Sequence, residues 1–74
     1  MGRLKVLSGK AVCQILARHG FVEVRRRGSH IVMQKSLSPD ETITVPIPNH
    51  KEVRTGTLLS IIRQSQISKA EFEN

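Results

Sequence analysis

The sequence predicts an α+β fold in which two helices cover one face of a three-stranded antiparallel sheet. Two segments with helical spacing of apolar residues, at residues 8–20 and from about residue 55, enclose three short apolar segments. The connections between these short segments are only a few residues long, which favours antiparallel neighbours in one sheet. A chain of 74 residues has room for one domain, which we place at residues 1–74. The result is a two-layer sandwich whose second sheet face is open to solvent.

The first helix is predicted at residues 8–20. Four residues at helical spacing share one face: Val12, Ile15, Leu16 and His19. Ser8 is a suitable N-cap, because its hydroxyl accepts a hydrogen bond from an amide of the first turn. Gly20 suits the left-handed residue that follows a helix, and Phe21 then packs back onto Leu16.

A first strand is predicted at residues 21–26, and a second follows at residues 31–35. Gly28 and Ser29 interrupt the apolar pattern between them, as expected for a turn. Strict alternation in the first strand assigns four residues to two faces: Val22 and Val24 to one, Glu23 and Arg25 to the other.

A third strand is predicted at residues 42–47, after a Ser-Pro-Asp turn signal within residues 36–41. Its apolar face carries three branched residues: Ile43, Val45 and Ile47. Pro46 and Pro48 lack the N–H group that a ladder needs, so this strand ends there or lies at an edge of the sheet.

The second helix is predicted to begin near Thr55, which suits its N-cap to within one residue. Its apolar stripe consists of Leu58, Ile61, Ile62 and Ser65, widened by Leu59. Ser68 and Glu71 have the spacing of a capping box and predict a final helical turn that ends near Phe72. The complete order is also that of a double-stranded-RNA-binding domain, an analogy of fold that does not define function.

Basic residues are concentrated in the first half of the chain. The net charge is +6, of which residues 1–35 carry +7 and residues 36–74 carry −1. This asymmetry favours a polyanionic partner, either nucleic acid or an anionic membrane surface, over a charge that serves only solubility.

Several classes of protein and site are excluded or disfavoured. The single cysteine, Cys13, rules out an internal disulfide and a cysteine-based zinc site. Asp40 and Glu41 lie in a turn without a histidine at ligand spacing, so we predict no metal. No signal peptide or membrane-spanning stretch is evident, and we expect a cytoplasmic protein. The two aromatic residues, Phe21 and Phe72, suit packing, which argues against base stacking as in RRM or OB modules.

The segment from Arg25 to His30 is the strongest candidate for a functional site. Three consecutive arginines can make bidentate contacts to phosphate. Gly28 allows another backbone to approach closely, and Ser29 offers a hydroxyl and an amide. His30 suits proton transfer, because histidine exchanges a proton most readily near neutral pH. The segment fits phosphodiester chemistry, and it also fits a solvated hairpin with a structural histidine.

Weaker candidates lie elsewhere. His50 and Lys51 precede the second helix, where His50 suits either a phosphate contact or a turn. Gly56 and Thr57 suit either anion binding through free amides or an ordinary helix start. His19 closes the first helix, where a cation interacts favourably with the helix dipole.

Short segments over nearly the whole chain follow a recognisable order. They are Leu7-Ser8-Gly9-Lys10, His19-Gly20-Phe21, Gly28-Ser29-His30 with Met33, Val45-Pro46, Gly56-Thr57-Leu58 with Ile61-Ile62, and Ile67-Ser68 with Glu71-Phe72. Each is weak alone, but in order and spacing they resemble the HicA family of bacterial toxins, also called YcfA-like, which are small mRNA interferases of toxin–antitoxin pairs.

The resemblance implies a fold like that of a double-stranded-RNA-binding domain, with ribonuclease activity and no cofactor. It implies that His30 is the catalytic histidine and that Gly28 is the family's glycine. It further implies a cognate HicB antitoxin that covers the active surface, and a prokaryotic cytoplasm.

We therefore expect the toxin of a type II toxin–antitoxin system, which cleaves single-stranded mRNA without a metal and uses one catalytic histidine, His30, as the base. The residues expected to bind RNA are Arg25, Arg26, Arg27, Gly28, Ser29, His50 and Lys51. Because successive side chains of a strand lie on opposite faces of the sheet, we do not expect all three arginines to face the RNA. The general acid is left open between His50, Lys51 and His30 itself. The alternatives are a non-catalytic RNA-binding module of the same fold and, less favoured without a helix-turn-helix, a DNA-binding regulator.

Overall fold

A computed structural model describes residues 2–73 and has the predicted order of elements. They are helix α1 (Gly9–Arg18), strands β1 (Val22–Arg27), β2 (His30–Ser38) and β3 (Glu41–Pro48), helix α2 (Thr55–Ser65) and a C-terminal 3₁₀ helix (Lys69–Phe72). The strands form one antiparallel sheet in the order β1-β2-β3. The predicted α+β fold with a three-stranded sheet is confirmed.

Helix α1 begins and ends as its sequence predicts. The Ser8 side chain accepts a hydrogen bond from the Ala11 amide at 3.1 Å, which satisfies one N–H group of the first turn. After the helix, Gly20 has a φ of +92°. The Phe21 amide then donates to the Leu16 carbonyl at 3.1 Å, which completes the predicted C-terminal motif.

Helix α2 begins within the one-residue margin that the sequence predicts for its cap. Arg54 occupies the N-cap position and Thr55 is the first helical residue. Within the described chain, the Arg54 side chain makes no capping hydrogen bond, because a guanidinium has no acceptor for an N–H group.

The core lies between the two helices and one face of the sheet, here called the inner face. Ile31, Met33, Val45 and Ile47 supply that face, and each is at most 3% exposed. The helices and terminal segments contribute the other core residues: Val12, Ile15, Leu16, Phe21, Val53, Leu58, Ile61, Ile62, Ile67 and Phe72. Burial of this apolar set is the main stabilising contribution to the fold.

A β-bulge in β1 overturns the predicted alternation of that strand. Glu23 pairs with Met33 and Arg25 pairs with Val32, so Val24 is left without a partner in the ladder. The extra residue reverses the alternation, and Glu23 and Arg25 lie on opposite faces instead of the same one.

Strand β2 is longer than predicted. It continues to Ser38, because Ser36 pairs with Thr42 and Ser38 pairs with Glu41 of β3, and none of these polar residues gives the apolar pattern that marks a strand in the sequence. Strand β3 pairs with β2 along one side in the described chain, which agrees with the edge position that Pro46 and Pro48 indicate.

Two segments near the ends of the described chain form a contact that the sequence does not predict. Leu4 forms a β-bridge with Glu73, and the Lys5 amide donates to the Phe72 carbonyl at 2.8 Å.

The predicted capping box of the C-terminal 3₁₀ helix is half formed: Ser68 accepts a hydrogen bond from the Ala70 amide at 3.3 Å. The Glu71 carboxylate turns away and lies 3.2 Å from His19 Nε2. No helix within residues 2–73 has the length and apolar character needed to cross a membrane.

Candidate functional site

The turn between β1 and β2 places the candidate segment at one end of the sheet. Gly28 and Ser29 form a two-residue turn, and Gly28 has a φ of +56°, a conformation that favours glycine. Arg27 and His30 flank this turn and face each other across the ladder. All four residues are exposed.

The arginines divide between the two faces of the sheet. Arg25 pairs with Val32 and Arg27 pairs with His30, so both lie with His30 on the outer face, opposite the core. Arg26 pairs with Ile31 on the inner face. Its guanidinium Nε donates to the Glu23 carboxylate at 3.0 Å, and this hydrogen bond raises the pKa of Arg26.

The outer face around His30 is basic and partly apolar. Val32 lies between Arg25 and Pro46 in the two ladders and is 8% exposed although it points away from the core. The next cross-strand pair on this face, Gln34 and Thr44, is polar, and the Gln34 amide donates to the Thr44 hydroxyl at 3.1 Å. The face therefore offers cations and hydrogen-bonding groups around a small apolar patch.

The turn at Gly28 and Ser29 is fastened to the segment that follows β3. His30 faces Pro48 in the β2–β3 ladder, and the Asn49 amide donates to the Ser29 carbonyl. The residues after β3 are therefore held beside His30.

A cleft of about 520 Å³ opens at this junction between β3 and α2. Three of its side chains are basic or titratable: His30, His50 and Arg54. The remaining lining residues are Pro46, Pro48, Thr57, Ser60, Ile61 and Gln64. Two imidazoles from different parts of the chain thus share one cleft with a guanidinium.

The backbone beside His50 is tightly held by α1. The Gly9 amide donates to the His50 carbonyl at 2.9 Å. Gly9 is buried, and a Cβ at this position would overlap the Pro48 carbonyl oxygen and lie 3.0 Å from Asn49 Cα. Helix α1 therefore fixes the backbone that carries His50 into the cleft.

Of the other residues that the sequence singles out, Thr57 lines this cleft, and Lys51 and His19 do not. Lys51 is exposed and is outside the lining of the cleft, whereas Thr57 is part of it. His19 lies at the end of α1 beside Glu71.

Sequence reasoning missed three polar residues of the cleft. They are Arg54, Ser60 and Gln64. Ser60 and Gln64 follow the candidate Thr57 at intervals of three and four residues, so the sequence indicates a polar stripe beside the apolar stripe of α2. Its place opposite His30 depends on tertiary packing and is not readable.

A second cleft, of about 410 Å³, lies between α1 and β1. It is lined by Cys13, Gln14, Ala17, Phe21, Val22, Glu23 and Met33. Burial, and then the charge of Glu23, raise the pKa of the Cys13 thiol. In the described part of the chain, no three His, Cys, Asp or Glu side chains are grouped so that they could hold a metal ion.

The protein is thus a small basic α+β domain that exposes Arg25, Arg27 and His30 on the outer face of its sheet. Comparison with protein families gives a match to the family described as the HicA toxin of bacterial toxin–antitoxin systems, over residues 9–67. Because this match covers most of the chain, the protein belongs to the HicA toxin family, and its role is that of a toxin with a cognate antitoxin. A search of curated proteins found no match.

Proposed function

We propose that this toxin is an endoribonuclease that cleaves mRNA without a metal, with His30 as the catalytic base. The observation that carries the proposal is the exposure of His30 on the outer face, at the edge of the cleft and beside Arg25 and Arg27. A base must reach substrate, and a cation must lie where phosphate charge develops.

The proposed reaction begins at the ribose. Neutral His30 takes the proton of the 2′-hydroxyl, whose oxygen then attacks the adjacent phosphorus. Arg25 and Arg27 share the outer face with His30, so both can stabilise the negative charge that develops on the phosphate. Arg26 lies on the other face and donates a hydrogen bond to Glu23, and we therefore do not assign it to the RNA.

RNA is bound mainly through its backbone in this proposal. The exposed turn at Gly28 and Ser29 binds phosphate on one side of His30. His50 and Lys51, which follow β3, add phosphate contacts on the side of His30 where the cleft opens. The two aromatic residues of the chain, Phe21 and Phe72, are at most 2% exposed. Neither can stack on a base without unfolding, so RNA binding in this proposal relies on contacts to the phosphates and not on stacking.

The cognate antitoxin, which we propose to be of the HicB type, covers the same outer face. A surface that attracts phosphate also attracts carboxylates, so we expect the antitoxin to place acidic side chains on Arg25 and Arg27. Saturating antitoxin should abolish cleavage and protect His30 from modification by diethyl pyrocarbonate. Full reactivity of His30 in the complex would contradict this arrangement.

The test is cleavage of a 5′-labelled RNA by the purified toxin in excess EDTA. We expect endonucleolytic products that end in a 2′,3′-cyclic phosphate, because the 2′-oxygen is the nucleophile. An RNA of the same sequence with 2′-deoxyribose at the cleaved position is the control, and it should remain intact. Binding of the RNA without cleavage would favour the non-catalytic RNA-binding module instead. Cleavage only after addition of a metal ion would refute the proposed mechanism.

A further inference from the structure

We propose that His50 is the general acid of this reaction, so that the toxin uses two histidines and not one. The inference rests on the proposed function, and it assigns the group that protonates the leaving 5′-oxygen. The observation behind it is that His30 and His50, twenty residues apart in the chain, line one cleft.

The sheet brings the two histidines together. His30 faces Pro48 in the β2–β3 ladder, and His50 follows Pro48 by two residues. Opposite residues in such a ladder are about 5 Å apart and each further residue adds at most about 3.5 Å, so the two Cα atoms are separated by about 12 Å at most. Side chains at that separation can approach one phosphodiester from two sides.

The position of His50 is well determined by the backbone, although its side chain is exposed. The Asn49 amide is bound to Ser29 and the His50 carbonyl is bound to the Gly9 amide at 2.9 Å. Three residues later, the Val53 amide donates to the Leu7 carbonyl at 2.8 Å, and Val53 is buried. Because the backbone is held on both sides of His50, only its side-chain torsions remain to be fixed when it engages substrate.

The other two candidates for the acid fit less well. Lys51 is outside the lining of the cleft, and a lysine ammonium is a much weaker acid than an imidazolium. His30 itself stands beside the attacking 2′-oxygen, whereas the leaving oxygen departs on the opposite side of phosphorus in an in-line displacement. A second group on the far side of the cleft meets this requirement.

The proton balance of the step is complete. Neutral His30 accepts the 2′-hydroxyl proton while the bond from the 2′-oxygen to phosphorus forms. The bond from phosphorus to the 5′-oxygen breaks, and protonated His50 donates its proton to that oxygen. The products are a 2′,3′-cyclic phosphate and a 5′-hydroxyl, and exchange with water restores both imidazoles. Arg54 lines the same cleft and supplies a positive charge near the phosphate.

The test compares two substrates of the same sequence. One is ordinary RNA, and in the other sulfur replaces the 5′-oxygen that leaves. We expect His50→Ala to slow cleavage of ordinary RNA by a factor of about 10²–10⁴. The sulfur substrate should restore most of that loss, because a thiolate is a far better leaving group than an alkoxide and needs no proton. His30→Ala should remain slow on both substrates.

The pH profile is a second readout. The titratable or charged side chains that line the cleft are His30, His50 and Arg54. Wild-type kcat/KM should rise and then fall with pH, and His50→Ala should lose the decline at high pH, which reports deprotonation of the acid. His19→Ala removes the remaining histidine, which lies at the other end of α1, and should leave both readouts unchanged.

Three results would overturn the inference. Wild-type rates for a folded His50→Ala variant would show that His50 takes no part in the chemical step. An equal loss on both substrates would make His50 a binding residue, and an unchanged pH profile would do the same. In each case cleavage by the wild-type toxin would persist, so the proposed function would stand. If the wild-type toxin cleaves neither substrate, the proposed function itself fails.

Discussion

Replacement of Gly9 by alanine tests how α1 supports the cleft that contains His30 and His50. The added methyl group would overlap the Pro48 carbonyl oxygen, with Asn49 Cα at 3.0 Å and the Pro48 carbonyl carbon at 3.1 Å. All three atoms belong to the backbone, so no side chain can rotate away. Relief therefore requires α1 and the segment after β3 to separate, which weakens the hydrogen bond from the Gly9 amide to His50.

The expected loss of stability follows from three contributions. Overpacking of a rigid site costs about 1–3 kcal/mol, and a weakened backbone hydrogen bond costs about 1 kcal/mol. Alanine is favoured over glycine inside a helix by up to about 1 kcal/mol, which offsets part of the loss. The net destabilisation of Gly9→Ala is about 2 kcal/mol, which lowers the melting temperature of a domain this small by about 8–16 °C.

Gly56→Ala is the matched control for this experiment. Gly56 lies in the first turn of α2, and among the described atoms beyond its own helix backbone none lies within 4 Å of a Cβ built there. We expect this variant to be as stable as the wild-type protein or slightly more stable. Thermal unfolding followed by circular dichroism measures both variants. A Gly9→Ala protein that melts at the wild-type temperature would refute the packing argument.

Two further predictions concern charged and titratable side chains. Burial and the charge of Glu23 raise the pKa of the Cys13 thiol, so Glu23→Gln should lower that pKa. The variant should then react faster than the wild-type protein with iodoacetamide at pH 8, because the thiolate is the reactive form. An unchanged rate of alkylation would contradict the role of Glu23. The double variant Arg25→Ala, Arg27→Ala should reduce the slope of log binding constant against log salt by about 1.4 for single-stranded RNA, which is about 0.7 for each phosphate that the variant no longer neutralises. Arg26→Ala should change that slope much less, and an equal change for Arg26 would refute the division of the arginines between two faces.

The parts of the fold that the sequence predicts well are local. The cap at Ser8 and the left-handed Gly20 depend on interactions within a few residues, and the structure has both. The turn at Gly28 and Ser29 is equally local, and its Gly28 has the positive φ that such a turn favours.

The bulge at Val24 shows where local reasoning fails. Alternation within one strand predicts faces only if each residue has one partner in the neighbouring strand. The ladder with β2 skips Val24, so the faces of Glu23 and Arg25 depend on the partner strand. The sequence therefore could not indicate that Glu23 lies on the same face as Arg26, whose guanidinium donates a hydrogen bond to it.

The candidate site shows a similar division. The segment from Arg25 to His30 is recognisable from its residue types, because it is contiguous. The cleft is not, since it joins His30 to His50 and Arg54 through the ladder position of Pro48 and the packing of α2. The same holds for the bridge between Leu4 and Glu73, whose residues are separated by nearly the whole chain.

The most direct test of the proposed ribonuclease is cleavage by His30→Ala compared with the wild-type toxin, in EDTA and with the melting temperature of each protein measured on the same samples. His30 is exposed, so its truncation should change the free energy of unfolding by no more than about 0.5 kcal/mol. Cleavage should fall by a factor of about 10²–10⁴, while RNA affinity, which depends mainly on phosphate contacts, stays nearly the same. Cleavage at the wild-type rate by the folded His30→Ala protein would contradict the account.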